Sequence, residues 1–344
     1  MNSKQNSISL RPSLLDELMG GLRAFPAEFS ACWQQLPNKV LFFTLLEAWL
    51  LLFQFLGNGT FGYVNTKSIM YWMYNAYNNE QSDGQDAHGN LIPFVVLGLM
   101  WWKRKELLGL QIRSWWPGLA LLGGALALHV LGYRVQQPRI SIVAFFAGIY
   151  ALMGLAWGPS WMRASFFPFF LFVFCIPIAS IGEPVTFPLR HLVAGIVAFI
   201  CNKILFLDVV REGTQLFNAS HTYAYEVAAA CSGLRSMVAI FALSTIYGFL
   251  TFEHNWKRVL MMLVSFPLAV IGNVTRMLCI ILAAEISGQH AGDFVHENWF
   301  FSLVPYVPAF IGVYFMARWL GETGKAPSAA TPGNAPSTAT PKSA

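Results

Sequence analysis

Met237 to Leu250 is a run of fourteen residues without a charged side chain, and seven further stretches of the chain have much the same character. No other feature constrains the fold as much. In lipid, the backbone amides and carbonyls of such a run must be paired inside the segment itself, which a helix does and an isolated strand does not. Composition agrees: 56% of the 344 residues are hydrophobic and 11% are charged, against about a quarter charged in ordinary soluble domains. The fold class expected is therefore all-α, a polytopic integral membrane bundle of about eight transmembrane helices.

The stretches fall near Val40–Leu56, Leu91–Trp102, Trp116–Leu131, Ile140–Trp157, Phe166–Ile181, Val227–Leu250, Val259–Ala284 and Trp299–Leu320. Residues 1–38 read as a cytoplasmic lead-in without a cleavable leader, with an amphipathic helix from Leu14 to Cys32 lying on the membrane. Residues 39–320 form the transmembrane domain. The Ala/Pro/Ser/Thr tail, 321–344, cannot bury a core and is expected to be disordered. Trp101-Trp102 followed by Lys103-Arg104-Lys105 marks a cytoplasmic interface, as do Lys257 and Arg258. The polar excursion 57–90 then lies outside, although Arg134 and Arg139 pull the third-to-fourth turn the other way. Leu189–Leu207 is apolar enough for lipid but carries Arg190, His191 and Lys203, which argue against a crossing. Residues 208–226 read as solvated, with short strands.

Counting crossings from an inner N-terminus puts both ends inside a cell inner (cytoplasmic) membrane. Cys231 then stands at the outer end of the sixth span and His296 at the outer start of the eighth. Arg276 sits eight residues short of the outer end of the seventh, about 12 Å deep at 1.5 Å per residue. Three reactive side chains from three helices thus face the extracytoplasmic side. An arginine inside a span needs a cavity or a partner, whereas a histidine in a polar loop can simply be solvated. A thiol, a histidine and an arginine suffice for acyl transfer: a thiolate attacks a carbonyl, an imidazolium protonates the leaving amine, and a guanidinium stabilises the oxyanion. Arg235, one helical turn beyond Cys231, favours the thiolate, and Asp293 or Glu297 would hold His296 charged.

Other chemistries find little support. Five cysteines without paired spacing argue against a disulfide framework or a metal site, and Cys32, Cys175, Cys201 and Cys279 read as packing residues, Cys279 being near enough to Arg276 to share its surroundings. No Gly-rich phosphate loop appears, no cofactor is expected, and the net charge of +5 is a topology signal and not a nucleic-acid footprint. Membrane lipids are the expected surroundings. A transporter holding an anion on its intramembrane arginines would need polar residues along several spans, and spans two to five carry almost none. A membrane thiol acyltransferase would use the same cysteine and histidine.

Ala230-Cys-Ser-Gly-Leu-Arg235, Asn273-Val-Thr-Arg276 and His296, in this order, resemble the three motifs of the exosortase/archaeosortase family. His88-Gly-Asn-Leu-Ile-Pro93, Trp101-Trp-Lys-Arg104 and the Phe167-Pro168 to Pro177 stretch resemble upstream elements of the same family. The likeness covers about residues 40–320, with Met277 where the family often has isoleucine. It implies a membrane cysteine protease or transpeptidase with Cys231 as nucleophile, Arg276 as catalytic arginine and His296 as acid/base, supported by Arg235 and Asn273. It also implies the partners: exported proteins ending in a Pro-Glu-Pro-like motif, a transmembrane helix and a basic end, handed on to an acceptor such as water, a lipid or a glycan.

Overall fold

Each of the eight apolar stretches contains a helix among the described residues, and glycines and aromatic rings set how closely the helices approach. The computed structural model describes residues 14–60, 65–78, 86–178, 183–227, 234–298 and 300–321. The tail beyond Gly321 lies outside the described residues, as does Cys231. The chain divides into two units, Met1–Ile181 and Gly182–Ala344.

The first unit holds α1 (Leu14–Gln35), α2 (Lys39–Leu56), α3 (Ile69–Tyr77), α4 (Ile92–Trp102), α5 (Arg104–Leu108), α6 (Gly118–Arg134), α7 (Pro138–Trp157) and α8 (Pro159–Phe170). Its centre is α7, buried nearly all round. Gly148 of α7 receives the ring of Trp49 so closely that a Cβ there would stand 2.0 Å from it, and Trp49 Nε1 donates to Phe145 O at 3.0 Å. At Gly118 and Gly132 of α6 a Cβ would stand 2.8 and 2.9 Å from the backbone of α7. Small residues allow such approaches where no hydrophobic force separates helix from lipid. On α1, Phe25, Phe29 and Trp33 are exposed, and Trp33 meets Phe43 of α2 at 5.1 Å between ring centres.

The excursion carries a polar knot at one end of this unit. Asp86, almost fully buried, accepts from Ile178 N at 3.0 Å. Arg139 Nε donates to Pro177 O at 2.6 Å, and Tyr77 donates to Cys175 O. The α6–α7 turn sits at this same end, where Gly59 lies against Tyr133. Arg139 therefore answers to partners within the protein. The fifth apolar stretch begins earlier than its hydrophobicity suggests, at Pro159, and tightens into a 3-10 turn over Leu171–Cys175 before Pro177.

The second unit contains α9 (Glu183–Lys203), strands β1 (Val209–Glu212), β2 (Gln215–Asn218) and β3 (Ala224–Glu226), then α10 (Leu234–Thr251), α11 (Asn255–Ser287), α12 (Gln289–Glu297) and α13 (Tyr306–Trp319). The strands form one antiparallel sheet in the order β1-β2-β3, with Gly213 turning the first hairpin at φ 61°. The solvated stretch thus does hold short strands. Val227 remains tied to it, donating to Thr214 O at 2.9 Å, so Val227 belongs with the sheet and not with the sixth helix, which is described from Leu234. Sheet, α9 and α11 share one core around Val209, Leu216, Met277 and Ile281; α10, α11 and α13 share another around Ile240, Met261 and Ala309.

The protein is a membrane protein of helical class. Helices α2, α7 and α11 are long and apolar enough to cross a membrane, and four shorter apolar helices accompany them: α4, α6, Pro159–Cys175 and the Ser236–Thr251 part of α10. Exposed Phe310, Ile311 and Phe315 give α13 an apolar outer face as well. The 33 residues of α11 extend about 50 Å, against about 30 Å of hydrocarbon.

Candidate functional site

α11 supplies the backbone of the site. Gly272 opens the Gly-Asn-Val-Thr-Arg motif because a Cβ there would stand 2.3 Å from Pro305 O; the glycine lets the chain entering α13 lie directly on α11. Asn273 follows, 6% exposed. Its Oδ1 accepts from Ser236 Oγ at 3.0 Å, a bond that ties the first turn of α10 to the middle of α11. Its Nδ2 is buried and meets no acceptor among the described residues.

Arg276 lies one turn further on. Its Nη2 donates to the main-chain carbonyl of His296 at 3.1 Å, and its Nε, also buried, has no acceptor among the described residues. The arginine and the histidine expected from sequence to act together are therefore in contact, although the bond reaches the histidine's backbone. Both are half-buried. His296 stands near the C-terminal end of α12, a helix where the sequence suggested only a polar loop.

The position of α12 is set from the sheet. Gly288, at φ 80°, ends α11 and turns the chain back along it. Tyr225 of β3 donates to Gln289 O at 3.0 Å and bonds the Asp293 side chain. A Cβ at Gly292 would stand 2.1 Å from the Tyr225 hydroxyl, so only glycine admits this contact. Next to it, Tyr223 donates to Glu285 Oε1 at 2.6 Å. Burial first, and then the Asp293 carboxylate, push the Tyr225 phenol up to about 12; burial and Glu285 push Tyr223 up in the same direction. Neutral Tyr223 thus holds Glu285 near the end of α11, and neutral Tyr225 holds the start of α12, the helix that carries His296. Asp293, expected to charge His296, has Tyr225 as its partner, while Glu297 is exposed.

Of the remaining residues singled out by sequence, Cys231 lies outside the described residues and Arg235 stands in the first turn of α10, its side chain likewise outside them. Cys175 and Cys201 are buried, and Cys279 packs against the core shared by α9, α11 and the sheet. Sequence reasoning missed Ser236, Tyr225, Glu285 as a tyrosine partner, and Gly292. Only Ser236 carried a signal, standing next to Arg235 within the cysteine segment.

Residues 79–311 match the family model of the transmembrane exosortases. No curated protein matches the chain, and no solved structure matches it either.

Proposed function

The chain belongs to the transmembrane exosortase family, and we propose that it is a membrane cysteine peptidase or transpeptidase that cuts the C-terminal sorting signals of exported proteins. The contact between Arg276 and His296 carries this reading. It unites two of the three reactive residues from separate helices, and the Ser236–Asn273 bond ties the third residue's segment to the same face of α11. Cys231 and Ser236 are only five positions apart in the chain, which limits their distance to about 18 Å even for extended chain.

In this reading the Cys231 thiolate adds to the scissile carbonyl carbon, and the C=O electron pair moves onto oxygen. Arg276 stabilises that oxyanion. Collapse breaks the C–N bond, His296 gives its proton to the leaving amine, and a thioester stays on the enzyme. The acceptor, an amine or water, then adds to the thioester while His296 takes up its proton, and the thiolate leaves. Arg235 favours the thiolate form.

Sidedness is inferred from charge. Lys257 donates to Leu320 O at 2.9 Å and Arg258 to Phe252 O at 2.8 Å, so cations gather where α10, α11 and α13 meet at one end. Arg276 lies eighteen residues further along α11, about 27 Å at 1.5 Å per residue. With those cations at the inner boundary of an inner membrane, Arg276 falls at the outer edge of the hydrocarbon, shallower than the depth counted from sequence. A carbonyl just outside the lipid is then within its reach. The substrate is an exported protein with a short motif, a transmembrane helix and a basic end.

Processing of such a protein in cells tests the proposal. Cys231→Ala leaves uncleaved precursor, and Cys231→Ser is nearly as severe, since a hydroxyl there lacks a strong base. Normal processing by Cys231→Ala at matched expression would overturn it.

A further inference from the structure

Among the buried polar atoms that meet no partner in the described residues, two donors, Asn273 Nδ2 and Arg276 Nε, stand three residues apart on α11. Their side chains leave the helix about 60° from each other and about 4.5 Å apart along its axis. Burying a donor without a partner costs about 1–3 kcal/mol, and such a group in a native fold asks for an explanation. One unpaired donor can be incidental. Two, adjacent on the same helix and flanked by the contacts that build the site, share a single simple explanation: an acceptor oxygen that is present only when substrate is bound.

We infer that Asn273 is a catalytic residue, the second donor of an oxyanion hole that it forms with Arg276, and that Ser236 is the positioning residue that aims it. This rests on the peptidase reading above and goes beyond it by assigning the amide a place at the reacting atoms. The Ser236 hydroxyl donates to Asn273 Oδ1 at 3.0 Å. That fixes the amide with its oxygen towards α10, so the Nδ2 end is the one left to donate. Arg276 is fixed in turn by the His296 carbonyl through Nη2, with Nε–H as its buried donor that meets no acceptor among the described residues. Both donors are thus oriented before substrate arrives, as stabilisation of a developing charge requires.

The chemistry balances without further reagents. When the Cys231 thiolate adds to the scissile carbonyl, the C=O π pair becomes a lone pair on oxygen. Asn273 Nδ2–H and Arg276 Nε–H bond that oxygen more strongly than they bond the neutral carbonyl. When the C–N bond breaks, the pair returns and a proton passes from His296 to the amine. Neither Asn273 nor Ser236 gains or loses a proton.

The test uses the full chain reconstituted in vesicles with a reporter protein ending in a Pro-Glu-Pro motif, an apolar helix and a basic end. Asn273→Ala and Asn273→Leu each lower kcat about 10²- to 10³-fold, as loss of one oxyanion donor does, with KM within about threefold of wild type. Ser236→Ala keeps the amide but frees it to turn, and lowers kcat about tenfold by the same logic. The inference is overturned if Asn273→Leu keeps kcat within about threefold of wild type, or if only KM rises, which marks ground-state binding. Should both Asn273 variants fail to insert, Ser236→Ala decides alone: unchanged kcat overturns the assignment. Cys231→Ala, run alongside, separates the two claims. If it is inactive while Asn273→Leu is not, the peptidase reading stands and the second donor falls; if it is active, the peptidase reading falls.

Discussion

Arg139 in the first unit and Arg276 in the second both stand on apolar helices, next to the polar segments that cap one end of each. Arg139 directs Nε at Pro177 O and has Asp86 close enough to feel its charge; Asp86 in turn holds Ile178 N. Arg276 holds one main-chain carbonyl through Nη2 and leaves Nε buried with no acceptor among the described residues. The first arginine is completed by the protein and so stabilises it. The second keeps a buried donor unmet among the described residues, which suits the proposed role of a group that meets its partner only during a reaction. An arginine in a membrane helix is therefore not by itself a sign of chemistry. Whether its donors are used up is the better sign.

The largest difference between the two should appear in catalysis. Arg276→Lys keeps a positive charge but loses the planar fork of donors, and kcat for sorting-signal cleavage is expected to fall at least about 10²-fold. Arg139→Lys is expected to leave kcat within about threefold. Equal losses from the two substitutions in a reconstituted assay would erase the distinction.

Stability should show the reverse order. Arg139→Met removes the donor to Pro177 O and the positive charge near buried Asp86, which costs about 1.5–3 kcal/mol, and Asp86→Asn in the same chain should recover part of that. Thermal unfolding in detergent gives both values. Arg276→Met removes a group that is already under-bonded and should cost clearly less. A larger loss from Arg276→Met would show that it too is a structural arginine.

A smaller effect sharpens the picture of how the site is held. The Tyr225 phenol titrates higher folded, at about 12, than its usual value near 10. Its raised value means that the clamp on α12 contributes fully below about pH 10 and is lost as the pH climbs from there towards 12. Tyr225→Phe should remove that alkaline loss of stability while leaving the neutral-pH kcat within about fivefold. An unchanged alkaline limb in the variant would place its origin elsewhere.

Much of this was legible in the sequence, for reasons that differ by residue. The apolar runs predict the helices because lipid leaves them no other structure, and Pro138 and Lys39 open α7 and α2 within two residues of the expected starts. Arg276 and His296 could be paired because each breaks the pattern of its surroundings, one as a charge in a span and the other as a base beside one. What stayed hidden depends on contacts distant in sequence. Nothing in Gly-Asp-Phe announces that Gly292 exists to admit a tyrosine from a strand some sixty residues earlier, with Tyr225 and Gln289 sixty-four positions apart. Likewise Val227 looks like the start of a helix until the sheet captures its amide. The two lone donors are a property of packing, and no spacing of residues reveals them.

The central claim is a thioester on Cys231, and an intact mass spectrum tests it most directly. Wild-type enzyme, reconstituted with the reporter, starved of acceptor and quenched in acid, is expected to gain the mass of the reporter's N-terminal product less one water. That adduct should map to the Cys231 peptide, disappear with hydroxylamine, and be absent from Cys231→Ala. An enzyme that cleaves the reporter without ever carrying this adduct, and cleaves it equally well as Cys231→Ala, would contradict the account.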